Sequence, residues 1–178
     1  LNAGRFLATD RTQVPTGKLP DVAGTPMDFR VAKPLGRDTD NDYEALKIGF
    51  GYDHCWAVDG WEPGLVKEAA RLHDTVSGRM LTVSSSHPGV QVYTGNFLAG
   101  GPLSKSGRAY ADRDGVAIEC QGFPNAVNIP QFPSQRGEAA ELYPVSYTHL
   151  TLPTTHPLEF SVPHSFLQIT AFSTPQPT

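Results

Sequence analysis

Cysteine is scarce: Cys55 and Cys120 are the only 2 in 178 residues. Two thiols are too few for a disulfide framework, and no Cys/His spacing resembles a zinc site, so no metal is expected. Free buried thiols suit a reducing compartment, which makes the cytoplasm the expected location. Basic charge is also thin. The chain has 14 Lys and Arg against 18 Asp and Glu, a net charge of −4, and no basic run. Nucleic acid and anionic membrane surfaces are therefore not expected as partners. No apolar run approaches the roughly 20 residues that span a bilayer, and no internal repeat is evident.

Turn formers are plentiful instead, with Gly 17 and Pro 16 in a chain that is 39% hydrophobic. Short alternating runs bounded by Gly and Pro point to an all-β fold. Residues 115–133, GVAIECQGFPNAVNIPQFP, show it best. Val116, Ile118 and Cys120 alternate with Ala117, Glu119 and Gln121, the period of a strand with one apolar face. Glu119 and Gln121 thus share the polar face. The prolines that follow must end regular pairing. Most strand glutamates are simply solvated. A carboxylate on a rigid strand just before an ordered loop is nonetheless well placed for a general base.

Upstream, residues 49–61 read GFGYDHCWAVDGW. Gly49 and Gly51 permit a sharp turn before Tyr52. Asp53 and His54 are neighbours, so on a strand they point to opposite sides and cannot act as a dyad on one atom. His54 is expected to brace the loop through its ring nitrogens. Residues 65–75 carry both helical spacing and alternation; a hairpin of two strands fits the turn chemistry of Ser77-Gly78-Arg79, while the helix formers of 65–75 favour a helix. Residues 88–98, PGVQVYTGNFL, place Tyr93, Asn96 and Phe97 near one end of the sheet. Tyr93 offers an aromatic face and Asn96 a donor amide there, while Phe97 is expected to be an ordinary core aromatic. The acidic run RDTDNDY at 37–43 lacks EF-hand spacing and reads as a solvated loop. Asp28 and Arg30 read as a surface ion pair.

Four of these segments resemble the aldose 1-epimerases, the galactose mutarotases. IECQGFPNAVNIPQFPS is similar to the segment around their catalytic glutamate, with Cys120 where Thr is common. GYDHCW resembles their G-[YF]-D-H-N-[FW], PGVQVYTGNFL their PGVQFYTGNFL, and RTQVPTGKLPDVAGTPMDFR their "ETLIPTG…VAGTPFDFR". The resemblance implies that Glu119 is the catalytic base. It makes Asp53 a ligand to a sugar hydroxyl, with Tyr93, Asn96 and Gln121 as further substrate-binding candidates. It implies a large antiparallel β-sandwich, a supersandwich, of which this chain carries part, with a strand at residues 65–75. The implied activity is interconversion of the α and β anomers of hexoses such as galactose or glucose, with no cofactor and a small-molecule sugar as partner.

The family's acid is a histidine in a motif like N-H-T-Y-F-N-L, which does not occur here. The match covers about residues 1–142, expected to be the C-terminal half of a truncated form that keeps the base and lacks the acid. Residues 143–178 contain 6 prolines, 7 threonines and 1 charged residue, Glu159, and are expected to be a foreign or poorly ordered tail. Two other functions fit parts of the pattern. A non-catalytic carbohydrate-binding β-sandwich would not need Glu119. A hexose-phosphate epimerase-like protein would need arginines in the cleft.

Overall fold

Alternation sets the strands. The structure is a computed structural model that describes residues 1–137, together with the backbone of short strands at 149–151 and 171–172. One antiparallel sheet has the order β1 (Arg5–Phe6), β2 (Asp53–Ala57), β5 (Gly89–Tyr93), β6 (Gly115–Gln121) and β8 (Ala171–Phe172). The other has the order β3 (Lys67–His73), β4 (Met80–Ser85) and β7 (His149–Thr151). This is the all-β sandwich expected from the sequence. The register across the first sheet is decisive for the site. Cys55 faces Gln91, which faces Glu119, and Asp53 faces Tyr93, which faces Ala117. One face therefore carries Asp53, Gln91, Tyr93, Glu119 and Gln121, and the other carries Trp56, Val90, Val92, Val116 and Ile118.

The apolar face joins the second sheet in one core. Trp56, Val90, Val92 and Ile118 are buried with Ala69, Ala70, Leu81 and Val83 of the β3–β4 hairpin. Loop 22–29 closes that core: Trp56 Nε1 donates to the Met27 carbonyl (3.0 Å) and Tyr52 Oη to the Pro26 carbonyl (2.9 Å). Each aromatic thus buries its body and still satisfies its polar tip. A smaller cluster lies on the opposite face, where Phe123, Ala126, Ile129 and Phe132 fold back over Leu7, Cys55 and Ala57.

The hairpin at 67–85 is present as two strands. Its ambiguity has a physical source. The register shifts between Glu68 and Ala70, and Ala69 and Ala70 are both buried, so a β-bulge interrupts the two-residue period. The six-residue helix α1 (Glu44–Gly49) was not expected; it ends at Phe50, whose left-handed backbone lets its N–H return to the Leu46 carbonyl. The acidic loop is paired rather than merely solvated: Asp38 bridges to Lys33 and Arg37, Asp40 to Arg113, and Asp42 to Lys47. Asp28 and Arg30 form the expected surface pair. The expectation for residues 143–178 falls outside the described residues, apart from the two strand backbones.

Candidate active site

The polar face of the first sheet is only half covered. The loop after β6 seals the Ala57 end, and the Asp53 end opens into a cleft of about 480 Å³. Leu7, Thr9 and Pro15 form one wall, and Asp53, Gln91, Tyr93, Glu119 and Gln121 form the floor. Such a volume, with a few converging polar groups, suits a small ligand.

Glu119 is half-buried and directly opposite Gln91. No hydrogen bond to its carboxylate is seen among the described residues. Burial pushes its pKa above the ordinary value of 4.5, and the nearby charge of Asp53 pushes it further the same way. Asp53 starts β2, and burial raises its pKa, while a hydrogen bond from Gln91 Nε2 to its Oδ1 (2.7 Å) works against the rise. Gln121 hydrogen-bonds the Cys55 thiol from the same face. Tyr93 Oη accepts the Phe97 N–H (3.0 Å), so its own proton stays available to donate outward.

Four of the five expected site residues thus meet in the cleft: Glu119, Asp53, Tyr93 and Gln121. Asn96 does not. It is buried, its Nδ2 donates to the carbonyls of Gly49 (2.8 Å) and Tyr52 (3.1 Å), and its Oδ1 accepts from Thr94 Oγ1 (2.7 Å). With its amide spent on backbone, it ties the 94–96 loop to the turn that launches Asp53. Gly51 is required there, since its φ is 134° and a Cβ would lie 2.6 Å from Asn96 Oδ1.

Phe97 corrects the expectation of a core aromatic. It is 59% exposed and lines the cleft, because Gly95 turns the chain out of the strand after Tyr93. Gln91 was passed over. Its only signal was its place on the Tyr93 side of β5, and its partnership with Asp53 depends on pairing between distant strands. His54 borders the cleft but is only 2% exposed and packs against Phe6 and Trp56. Its Nδ1 accepts the Asp53 N–H (3.0 Å), so the ring proton sits on Nε2, and the ring also bonds the Ala45 backbone. Burial lowers its pKa to about 4, which keeps it neutral near pH 7. Cys55 and Cys120 are free thiols that burial pushes up to about 12 and about 11, where little thiolate forms.

The pattern of the family described as aldose 1-epimerase matches residues 1–148. The chain belongs to the aldose 1-epimerase family. It is 41% identical over 131 residues to the galactose mutarotase of Rattus norvegicus, covering 74% of this chain and 36% of that protein. It is 37% identical over 139 residues to the aldose 1-epimerase of Haemophilus influenzae, covering 77% of this chain and 38% of that one. Among solved structures, the aldose epimerase homologue from C. elegans superposes with a TM-score of 0.62 at 28% identity, over 75% of this chain and 38% of that one. The chain therefore spans little more than a third of the length of these relatives. Among the described residues, no helix is long and apolar enough to cross a membrane.

Proposed function

We propose that this chain carries the base-bearing part of an aldose 1-epimerase site, acting on hexoses such as galactose or glucose. The observation that carries this reading is Glu119: a half-buried carboxylate with raised pKa, no hydrogen bond seen among the described residues, and an open cleft in front of it. A base whose pKa moves toward the working pH is more effective, provided that it remains ionised. Glu119 takes the proton of the C1 hydroxyl. The O1 lone pair then forms the C1 carbonyl as the bond from C1 to the ring oxygen breaks. The ring oxygen takes a proton from water or from an acid other than Glu119. Rotation about C1–C2 and attack of the C5 hydroxyl on the other carbonyl face give the opposite anomer, as that hydroxyl's proton returns to the acid or water and Glu119 returns its proton to O1.

Asp53 accepts from a sugar hydroxyl through the oxygen that Gln91 leaves open, and Tyr93 and Gln121 orient the ring. The cleft lining contains two carboxylates and, among the described residues, neither Lys nor Arg. That composition opposes a phosphorylated hexose. The test is polarimetry on freshly dissolved α-galactose, using the protein with whatever its gene encodes around these 178 residues. Glu119→Gln should slow interconversion by about 10²- to 10⁴-fold. An unchanged catalysed rate in the variant would remove Glu119 from the mechanism, and a wild type that binds galactose but does not speed interconversion above buffer would leave only a sugar-binding module.

A further inference from the structure

Four residues other than glycine hold left-handed backbone among the described residues: Gln13 (φ 65°), Phe50 (56°), Arg113 (69°) and Asn125 (63°). Side-chain-bearing residues rarely adopt this conformation, and it persists only where the surroundings enforce it. Each is in the cleft lining or tied to it, Arg113 only through Phe50. Gln13 lines the cleft. Phe50 stands edge-on to the lining residue Phe97, with ring centroids 5.4 Å apart. Arg113 holds Asp40 through both terminal nitrogens (3.0 and 2.7 Å) and approaches the Phe50 carbonyl (3.5 Å). Asn125 follows the lining residue Pro124 and donates to the carbonyl of the lining residue Pro15 (3.0 Å).

Of these four only Gln13 is itself a residue of the cleft lining. Its turn is firmly held. The Asp10 carboxylate accepts from Thr12 N (2.8 Å), Thr12 Oγ1 (2.7 Å) and Val14 N (3.2 Å). The Gln13 N–H donates to the Asp10 carbonyl (3.0 Å), and the Asp10 N–H to that of Val14 (2.9 Å). The side chain is anchored as well, because Nε2 donates to the Ile48 carbonyl (3.2 Å). With the nitrogen engaged, the planar amide has a set orientation. Its Oε1 has no hydrogen-bond partner among the described residues. In the resembling pattern "ETLIPTG", the same position holds Leu, which offers no acceptor.

We propose that Gln13 is a specificity-determining residue whose side-chain carbonyl accepts a hydrogen bond from one hydroxyl of the bound aldose at the cleft mouth. This rests on the reading of the cleft as an aldose site. A neutral acceptor suits the position, since a third carboxylate beside Asp53 and Glu119 would raise the pKa of the base further. Gln13 therefore selects among sugars without altering the ionisation of Glu119. Its contribution should appear in affinity and in the choice of sugar, not in the pH profile.

The experiment is a cycle between protein and ligand, read by isothermal titration calorimetry. Wild type, Gln13→Leu and Gln13→Gly are each titrated with galactose and with its 2-, 3-, 4- and 6-deoxy analogues. Gln13→Gly removes the side chain at a position whose backbone glycine tolerates, so a common result in both variants cannot come from strain. Both variants should bind galactose about 3- to 10-fold more weakly. One deoxy analogue should lose the same factor against wild type and show no further loss against the variants, which assigns the hydroxyl. Unchanged galactose affinity, or an equal loss for galactose and every analogue, would overturn the proposal. Failure of wild type to bind any aldose would overturn the reading of the cleft itself, and it would be visible before any substitution is made.

Discussion

The two faces of the five-stranded sheet are made by the same strands, yet they spend their side chains differently. On the core face the side chains are mostly apolar and closed, with Trp56, Val90 and Val92 buried against the second sheet. On the cleft face the alternate positions of the same strands are Asp53, Gln91, Tyr93 and Glu119, and they stay partly open. The core face gains stability from removing apolar area from water. The cleft face gives some of it back, because two carboxylates lie close together with raised pKa values and few compensating hydrogen bonds. Rigidity from one face is what allows charge to be held out of full solvation on the other.

Substitutions can break this contrast. The largest stability effect belongs to the core face. Trp56→Ala should destabilise the chain by about 3–5 kcal/mol, since the ring is fully buried and its Nε1 is bonded; urea unfolding measures it. A loss below about 1 kcal/mol would mean that the two sheets do not share a core. Asn96→Ala comes next. It strips donors from the buried carbonyls of Gly49 and Tyr52, at a cost of about 1–3 kcal/mol. Because that tie launches Asp53, galactose affinity should fall too, although Asn96 lies outside the cleft. Unchanged affinity in a destabilised variant would separate the tie from the site.

The smallest effect has the opposite sign. A carboxyl whose pKa is raised on folding binds its proton more tightly in the folded state. Stability therefore falls as pH rises from the ordinary value of 4.5 through the raised one, and the full cost is present above both. Glu119→Gln should thus raise the melting temperature slightly near pH 7 and leave it unchanged well below pH 4.5. A lower melting temperature at neutral pH would mean that the ionised carboxylate is stabilising and satisfied.

Much of this was legible beforehand where local pattern and global fold agree. The alternation around Glu119 placed it opposite Ile118 and Cys120, and the neighbour argument sent His54 and Asp53 to different faces. Legibility failed where distant segments decide. Asn96 looks like any cleft amide until the 49–52 turn arrives beneath it. Phe97 reads as core until Gly95 swings it outward, and Gln91 acquires a role only through its pairing with β2 and β6. The bulge at Glu68–Ala70 hid a strand by breaking its period. The helix at 44–49 is too short for periodicity to reveal.

The central claim is that the cleft face holds Glu119 as a base with a raised pKa. It is tested most directly by following the Glu119 carboxyl carbon by NMR as pH is varied, in wild type and in Asp53→Asn. The account predicts a wild-type midpoint above 4.5 that moves down, without reaching that value, when the Asp53 charge is removed, because burial is the larger cause and the neighbouring charge the smaller. A midpoint at or below 4.5 that ignores the Asp53 substitution would contradict it.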